Sequence, residues 1–169
     1  MSKAFVRESD DEPDPPPFPR AAPPLPPGAK NYLTAAGEHR LREELARLVG
    51  VERPRLLAAT PDSETKRELQ VLQRRILHLE QVLRTAVVVA PGGPDDRVRF
   101  GATVTVRSRD GGESDYRLVG TEETEVERGW VSWRSPLAQA LLNARPGDRV
   151  VFASPSGPVE LGIVRVSHE

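Results

Sequence analysis

The sequence predicts an α+β protein in which an N-terminal antiparallel α-helical hairpin, a coiled coil, precedes a compact, mostly antiparallel β-sheet domain with one short helix. Two patterns carry this prediction. Between residues 62 and 85 the apolar residues recur at alternating steps of three and four, without glycine or proline, which is typical of a helix packed on a partner helix. From residue 97 they recur at every second position, as in a strand with one buried face.

The first 30 residues form an acidic, proline-rich leader. Nine of the 17 prolines lie between Pro13 and Pro27, and proline lacks the backbone donor that helices and sheets use. We therefore expect residues 1–30 to be disordered. The domains that follow are predicted as the helical hairpin at 31–85, a linker at 86–96 and the β domain at 97–169.

The first arm of the hairpin begins after Thr34, a good N-cap. Its apolar stripe comprises Leu41, Leu45, Leu48 and Val49. Pro54 is expected to kink or break this helix, because its ring excludes one backbone hydrogen bond. Thr60 and Pro61 then predict a second start, with Thr60 as N-cap and Pro61 in the first helical position.

The second arm has the clearest pattern in the chain. Its heptad seam is Leu69, Leu72, Ile76, Leu79 and Leu83. A single apolar stripe on each helix and a tight turn between them imply antiparallel pairing. Asp62 and Glu64 lie at the turn, where carboxylates also stabilise the positive end of a helix dipole.

The β domain is predicted from alternating residues and turn signals. Val98 to Val106 alternate toward one face, and Asp110-Gly111-Gly112 marks a hairpin. Trp133 is expected in the sheet core, whereas Trp130 is expected at the surface. Ser135 caps a short helix that has Pro136 at its first position.

Composition excludes several classes of function. The 169 residues carry a net charge of −1, which argues against free nucleic acid as the main partner. The chain has no cysteine, so disulfides and thiolate metal sites are excluded. The apolar run between Thr85 and Pro91 is too short for a membrane span. Without a catalytic triad, phosphate loop or metal-ligand spacing, we expect a cytoplasmic monomer that is not an independent enzyme.

Several segments resemble the GreA/GreB transcription elongation factors. In the C-terminal half these are residues 98–106, 116–120, 135–142 and 146–148; in the N-terminal half they are 32–34, Gly37, 41–45 and 53–54. The resemblance spans about Tyr32 to Val166, and the start Met1-Ser2-Lys3-Ala4-Phe5 is similar to a GreB-like subgroup with such leaders.

The resemblance implies an FKBP-like C-terminal domain that docks on bacterial RNA polymerase at its secondary channel, while the coiled coil enters the channel. Asp62 and Glu64 would then help to hold a Mg²⁺ ion shared with the polymerase active centre, so that the polymerase cleaves its own backtracked RNA. The factor would have no cofactor of its own and no metal in its free form.

Two contact surfaces are expected, one for RNA that the resemblance implies and one for the polymerase on the β domain. Lys66, Arg67, Arg74 and Arg75 would contact the 3′ end of the nascent RNA. Trp130, Ser135 and Pro136 would contact the polymerase. The residues alone leave a second interpretation open for the basic group, a solvated helix face.

The sequence departs from the family at the hairpin tip. Pro61-Asp62-Ser63-Glu64-Thr65 lacks the family's spacer, Asn-Ala pair and tyrosine, and each arm is about a heptad shorter. At ~1.5 Å per residue the coiled coil is shortened by roughly 10 Å. Three hypotheses follow: a transcript-cleavage factor, a regulator that binds the secondary channel without cleavage, and a peptidyl-prolyl isomerase.

Overall fold

The computed structural model describes residues 28–90, 92–93 and 96–168, which form a helical N-terminal region and a curled β-sheet domain. The predicted disorder of the leader concerns residues that lie outside these ranges, apart from 28–30. The helical region contains strand β1 (Asn31–Thr34), helices α1 (Ala35–Arg47), α2 (Arg53–Ala58) and α3 (Ser63–Thr85), and strand β2 (Ala86–Val89). No helix in the described ranges is long and apolar enough to cross a membrane.

The first arm starts as predicted but continues differently. Thr34 is the N-cap of α1, and its side chain accepts a hydrogen bond from the Gly37 N–H at 2.9 Å. Where a kink or a break was expected, a π-helical turn, Leu48–Glu52, joins α1 to α2. The Arg53 N–H donates to the Leu48 carbonyl, five residues back, and Pro54 then begins the next α-helical turn. The wide turn thus accommodates a residue that has no N–H to donate.

Helix α3 starts two residues later than predicted. Its N-cap is Asp62, whose Oδ1 accepts the Thr65 N–H at 2.7 Å, so Thr60 as N-cap was wrong. A carboxylate caps a helix at least as well as a threonine hydroxyl and also interacts with the helix dipole. Thr60 instead accepts the Asp62 N–H at 2.8 Å and closes the turn before the helix.

The two arms share one buried cluster. Its members are Leu33, Leu41, Leu48, Leu56, Leu72, Ile76, Leu79 and Val82, with Leu45, Leu69 and Leu83 partly buried beside them. Val49, which was placed in the stripe, is exposed, because the π-turn changes the rotation per residue and Leu56 continues the seam after Leu48. Asn31, just before the first arm, donates a hydrogen bond to the Val82 carbonyl near the end of α3. Glu44, further along the first arm, accepts one from Arg75, which lies nearer the start of α3. Residues further along the first arm therefore contact residues nearer the start of α3.

Strand β2 lies where a linker was expected. It pairs in parallel with β1, from Asn31 opposite Ala86 to Thr34 opposite Val89. The β-branched sequence Val87-Val88-Val89 favours an extended backbone over continuation of α3. The two strands therefore join the beginning and the end of the helical region.

The β domain is a five-stranded sheet curled around helix α4 (Pro136–Leu141). Its strands are β3 (Thr103–Arg107), β4 (Glu113–Val119), β5 (Trp130–Ser132), β6 (Arg149–Ser154) and β7 (Gly157–Ser167), in the order β5-β4-β3-β7-β6. All pairings are antiparallel except β4 with β5, a correction to the predicted antiparallel sheet. The connection through the 3₁₀ turns Thr121–Glu123 and Val126–Arg128 returns the chain so that β5 runs alongside β4.

The predicted first strand is shorter than its alternating pattern. Gly101 has a φ of 85°, a left-handed conformation that interrupts an extended chain. Val98 is fully buried all the same, and its N–H donates to the Ala144 carbonyl at 2.8 Å. The core it joins is Val98, Val104, Val106, Leu118, Val131, Leu137, Ala138, Leu141, Ala144, Leu161 and Ile163.

Candidate functional site

The turn between α2 and α3 presents two carboxylates to solvent. Asp62 and Glu64 are both exposed, Asp62 as the N-cap of α3 and Glu64 in its first turn. The Thr65 N–H donates to the Asp62 carboxylate, and together with a side-chain hydrogen bond from Thr65 this lowers the pKa of Asp62 below its ordinary value of 3.8. Asp62 is therefore ionised at neutral pH.

Within residues 58–66, which form the tip, Asp62 and Glu64 are the acidic residues. Neither forms an ion pair within the part of the chain that the structure describes. Among the same residues no three acidic, histidine or cysteine side chains come together as a metal site. The arrangement is a pair of exposed carboxylates at the end of a helix.

The four basic residues predicted to contact RNA do not form a uniform surface. Lys66, Arg67 and Arg74 are exposed and have no ion pair within the described ranges. Arg75 is half-buried and forms two hydrogen bonds with Glu44, from Nε to Oε1 at 2.8 Å and from Nη2 to Oε2 at 2.9 Å. Arg75 thus joins the two arms of the helical region, a role that its sequence position did not reveal.

The Arg75 pair also changes the titration of both partners. The hydrogen bond from Arg75 lowers the pKa of Glu44 below its ordinary value of 4.5. The same bond raises the pKa of Arg75. The two side chains are therefore both charged throughout the neutral range.

The three predicted polymerase contacts occupy different environments. Trp130 is partly buried, and the guanidinium groups of Arg40, Arg117 and Arg128 lie 4.8, 5.4 and 5.5 Å from its ring centre. Ser135 is buried and accepts the Ala138 N–H at 3.1 Å as the N-cap of α4. Pro136 is exposed at the first turn of that helix. Ser135 therefore positions α4 from inside the domain, Pro136 lies at the surface, and Trp130 is partly covered by the arginines.

Sequence reasoning missed the contacts between the helical region and the β domain. Glu122 lies 2.9 Å from the Nε2 atom of His78 and 3.9 Å from Arg75. Its neighbour Glu123 is buried and reaches the start of α1. The available signal was Gly37, whose missing side chain leaves room for Glu123, but one glycine does not reveal its partner across 86 residues of chain.

Comparisons with known proteins agree on one family. Residues 93–168 match the family described as transcription elongation factor GreA/GreB, C-terminal. The chain is 40% identical over 154 residues to transcription elongation factor GreB of Neisseria meningitidis, covering 82% of this chain and 94% of the relative. It is 36% identical over 156 residues to transcription elongation factor GreA of Alkalilimnicola ehrlichii, covering 83% and 99%.

A solved structure is also similar in sequence. GreA factor homolog 1 (Gfh1) of Thermus thermophilus is 27% identical, covering 82% of this chain and 99% of that one, with a TM-score of 0.40.

Proposed function

The chain belongs to the GreA/GreB family of transcription elongation factors, and we propose that it binds bacterial RNA polymerase at the secondary channel and stimulates cleavage of backtracked nascent RNA. In this proposal the β domain, with an FKBP-like fold, docks at the channel rim. The helical region enters the channel as an antiparallel hairpin. The chain acts as a cytoplasmic monomer and an accessory factor, and the cleavage is carried out by the polymerase itself.

The observation that carries the proposal is the position of Asp62 and Glu64. Both are exposed at the end of the helical region that lies opposite to its contacts with the β domain. Helix α3 has 23 residues, so at ~1.5 Å per residue its first turn lies roughly 35 Å from its last. Two carboxylates at the end of a long, narrow projection can reach a centre that is recessed in another molecule.

The donor set fits a shared Mg²⁺ ion rather than one held by this chain alone. Mg²⁺ takes six oxygen ligands in near-ideal octahedral geometry, and the tip offers two carboxylates. Asp62 and Glu64 would therefore supply part of the ligand set and the polymerase the remainder. When bound, the ion would lower the pKa of a coordinated water and so supply a nucleophile.

Three of the four basic residues are placed to contact the RNA 3′ end. Lys66 and Arg67 lie within one turn of the tip acids, and Arg74 follows two turns later on α3. Because they have no ion pair within the described ranges, their charges are available to phosphates. Arg75 is left out of this group, since its guanidinium already pairs with Glu44.

One observation favours the second candidate, a regulator that occupies the channel without cleavage. An oxygen of Asp62 accepts the Thr65 N–H as a helix cap, so it has less capacity for a metal ion. The matched shortening of the two arms also reduces the reach of the tip. In this case the chain would compete with a cleaving factor for the channel and produce no shortened transcripts.

The isomerase hypothesis has less support. Phe100 and Trp133 pack against Tyr32 of the helical region, with ring centres 5.8 and 5.0 Å apart. Arginines cover the ring of Trp130. Two grooves of the β domain, beside Arg107 and beside Val151, are lined by charged and aliphatic residues, whereas a proline-binding pocket needs an aromatic lining. Fold alone does not carry this activity.

An RNA cleavage assay on stalled, backtracked polymerase tests the proposal. The wild type should shorten the transcript, and Asp62→Asn and Glu64→Gln should each reduce the rate at least about tenfold while polymerase affinity stays within a few-fold. Glu68→Gln is the matched control, because it removes one exposed carboxylate from the same helix, one turn further from the tip.

The other outcomes are equally specific. If the wild type binds polymerase and displaces a cleaving factor but leaves the transcript intact, the second candidate replaces the first. A chain that does not bind polymerase at all contradicts both.

A further inference from the structure

The buried Glu123 lies at the junction between the two regions. It is 3% exposed and ends the 3₁₀ turn Thr121–Glu123, which follows β4 in the β domain. Its side chain does not point to solvent but to β1 and the first turn of α1. A fully enclosed glutamate is rare unless its oxygens are satisfied.

Hydrogen bonds from both regions satisfy this carboxylate. Oε2 accepts the Thr34 N–H and the Gly120 N–H, each at 2.9 Å. Oε1 accepts the Thr34 hydroxyl, which in turn accepts the Gly37 N–H at 2.9 Å. All the direct partners of the two carboxyl oxygens are donors. A side chain of the β domain thereby binds Thr34, the N-cap residue of the first helix of the other region.

Two glycines, one from each region, make the space for Glu123. A Cβ atom on Gly37 would overlap Oε1 of Glu123. A Cβ atom on Gly120 would overlap the Tyr32 carbonyl and approach Oε2 of Glu123 to 2.7 Å. The carboxylate therefore fits a socket whose walls are backbone on both sides of the junction.

We infer that Glu123 is a positioning residue that fixes the direction of the helical region relative to the β domain. Other contacts across the junction involve flexible side chains. Glu122 contacts His78 and Arg75, whose side chains are 49% and 40% exposed. The Arg40 guanidinium lies over the Trp130 ring, 4.8 Å from its centre. Aromatic packing of Tyr32 against Trp133 resists separation but specifies direction weakly. Glu123 alone among these bonds directly to backbone N–H groups of both regions.

The consequence for the tip follows from the length of α3. A change of about 10° at the junction would move a point ~35 Å away by roughly 6 Å. A carboxylate must lie about 2.0–2.1 Å from Mg²⁺ to bind it. If the chain acts as proposed above, Glu123 therefore sets the position of the tip once the β domain is docked on the polymerase.

A distance measurement on the free, full-length protein tests this inference. The chain has no cysteine, so Gln70→Cys on α3 and Val151→Cys on β6, both exposed, place two spin labels without further changes. The parent protein should give one narrow distance distribution. Glu123→Gln should broaden or shift it by several ångströms, because an amide presents N–H donors to the donors of the socket.

Glu122→Gln is the matched control, because it makes the same chemical change one residue away, where the carboxylate faces solvent-exposed partners. It should leave the distribution narrow. A folded Glu123→Gln protein, verified by circular dichroism, that keeps the parent distribution would overturn the inference.

A second pair of variants decides the case if Glu123→Gln does not fold. Gly37→Ala should disturb the distribution, although alanine normally favours a helix. Gly50→Ala, where a Cβ meets nothing within 4 Å, should not. Adding Glu123→Ala to Gly37→Ala removes the overlap, so the double variant should unfold at a higher temperature than the sum of the two single losses predicts. Strictly additive losses would contradict the socket.

The polymerase assay separates this inference from the proposed function. Glu123→Gln should keep polymerase affinity within a few-fold but lose about tenfold or more of any effect that depends on the tip. If the wild type has no such effect, the proposed cleavage fails while the distance distributions still decide the role of Glu123.

Discussion

The helical region and the β domain bury their apolar side chains in different ways. The helical region has one seam of eight buried residues between two arms, and Leu57, Val71 and Leu77 are more than 60% exposed on its outer faces. The β domain encloses eleven buried residues between its sheet and α4, and most of them have almost no contact with solvent. A narrow seam can relax around a lost side chain, whereas an enclosed core leaves a cavity. We therefore expect the core of the β domain to relax less around a lost side chain than the seam of the helical region.

The largest effect that tests this contrast is expected from one truncation in each core. Leu118→Ala, in the β domain, should lower the free energy of unfolding by about 3–5 kcal/mol. Ile76→Ala, in the helical seam, should lower it by about 2–3 kcal/mol, because the neighbouring arms can close part of the space. Urea denaturation followed by circular dichroism measures both losses.

Two outcomes would break the contrast. A larger loss of unfolding free energy for Ile76→Ala than for Leu118→Ala would mean that the helical seam relaxes less around a lost side chain than the core of the β domain does. A negligible loss for Ile76→Ala would mean that α3 is not packed on the first arm. Val71→Ala, on the exposed side of the same helix, is the control and should change little.

A smaller effect is expected from the ion pair that joins the two arms. Arg75→Gln should cost about 0.2–1 kcal/mol at neutral pH. The folded-state pKa of Glu44 is lowered, so the pair contributes stability above the unfolded value of 4.5 and loses it as the pH falls through the folded value. Urea denaturation at a series of pH values should show the wild type and Arg75→Gln converging in acid. A difference that persists in strong acid would mean that Arg75 acts through packing instead.

The smallest effect concerns the cap at the exposed tip. Asp62→Ala should fray the first turn of α3 and lower the helical signal slightly, because the Thr65 N–H loses its acceptor. Asp62→Asn should preserve the cap, since asparagine is as good an N-cap as aspartate. Amide exchange at Thr65 measures this directly. Equal protection of the Thr65 amide from exchange in Asp62→Ala and in the wild type would contradict the capping role of Asp62.

Features that depend on local periodicity were predictable. The heptad pattern predicted the buried residues Leu72, Ile76 and Leu79 of α3, but the last buried residue is Val82 rather than Leu83. Thr34 and Ser135 were correctly assigned as N-caps. Asp62 was misread because Thr60-Pro61 is also a good start signal, and the choice between two caps depends on the turn that precedes them. The π-turn was missed because Pro54 predicts only that a regular helix is interrupted, not how.

Features that depend on distant pairings were not predictable from one sequence. The pairing of β1 with β2 joins residues 55 positions apart, and the parallel contact of β4 with β5 depends on the path of an irregular connection. The candidate acids Asp62 and Glu64 are near neighbours in the chain, so their proximity at the turn could be predicted from the sequence. Glu123 was missed because its partners come from another region, and Arg75 because its partner lies on the opposite arm.

The strand pair β1–β2 has a consequence for how this architecture can vary. Because it fastens both ends of the helical region to each other, a matched loss of whole heptads from both arms leaves the register of the strands and the Glu123 socket untouched. The arms can therefore be lengthened or shortened in evolution, and in engineered chimaeras, without redesign of the base. The length of the arms is thus structurally separate from the pairing that holds their base together.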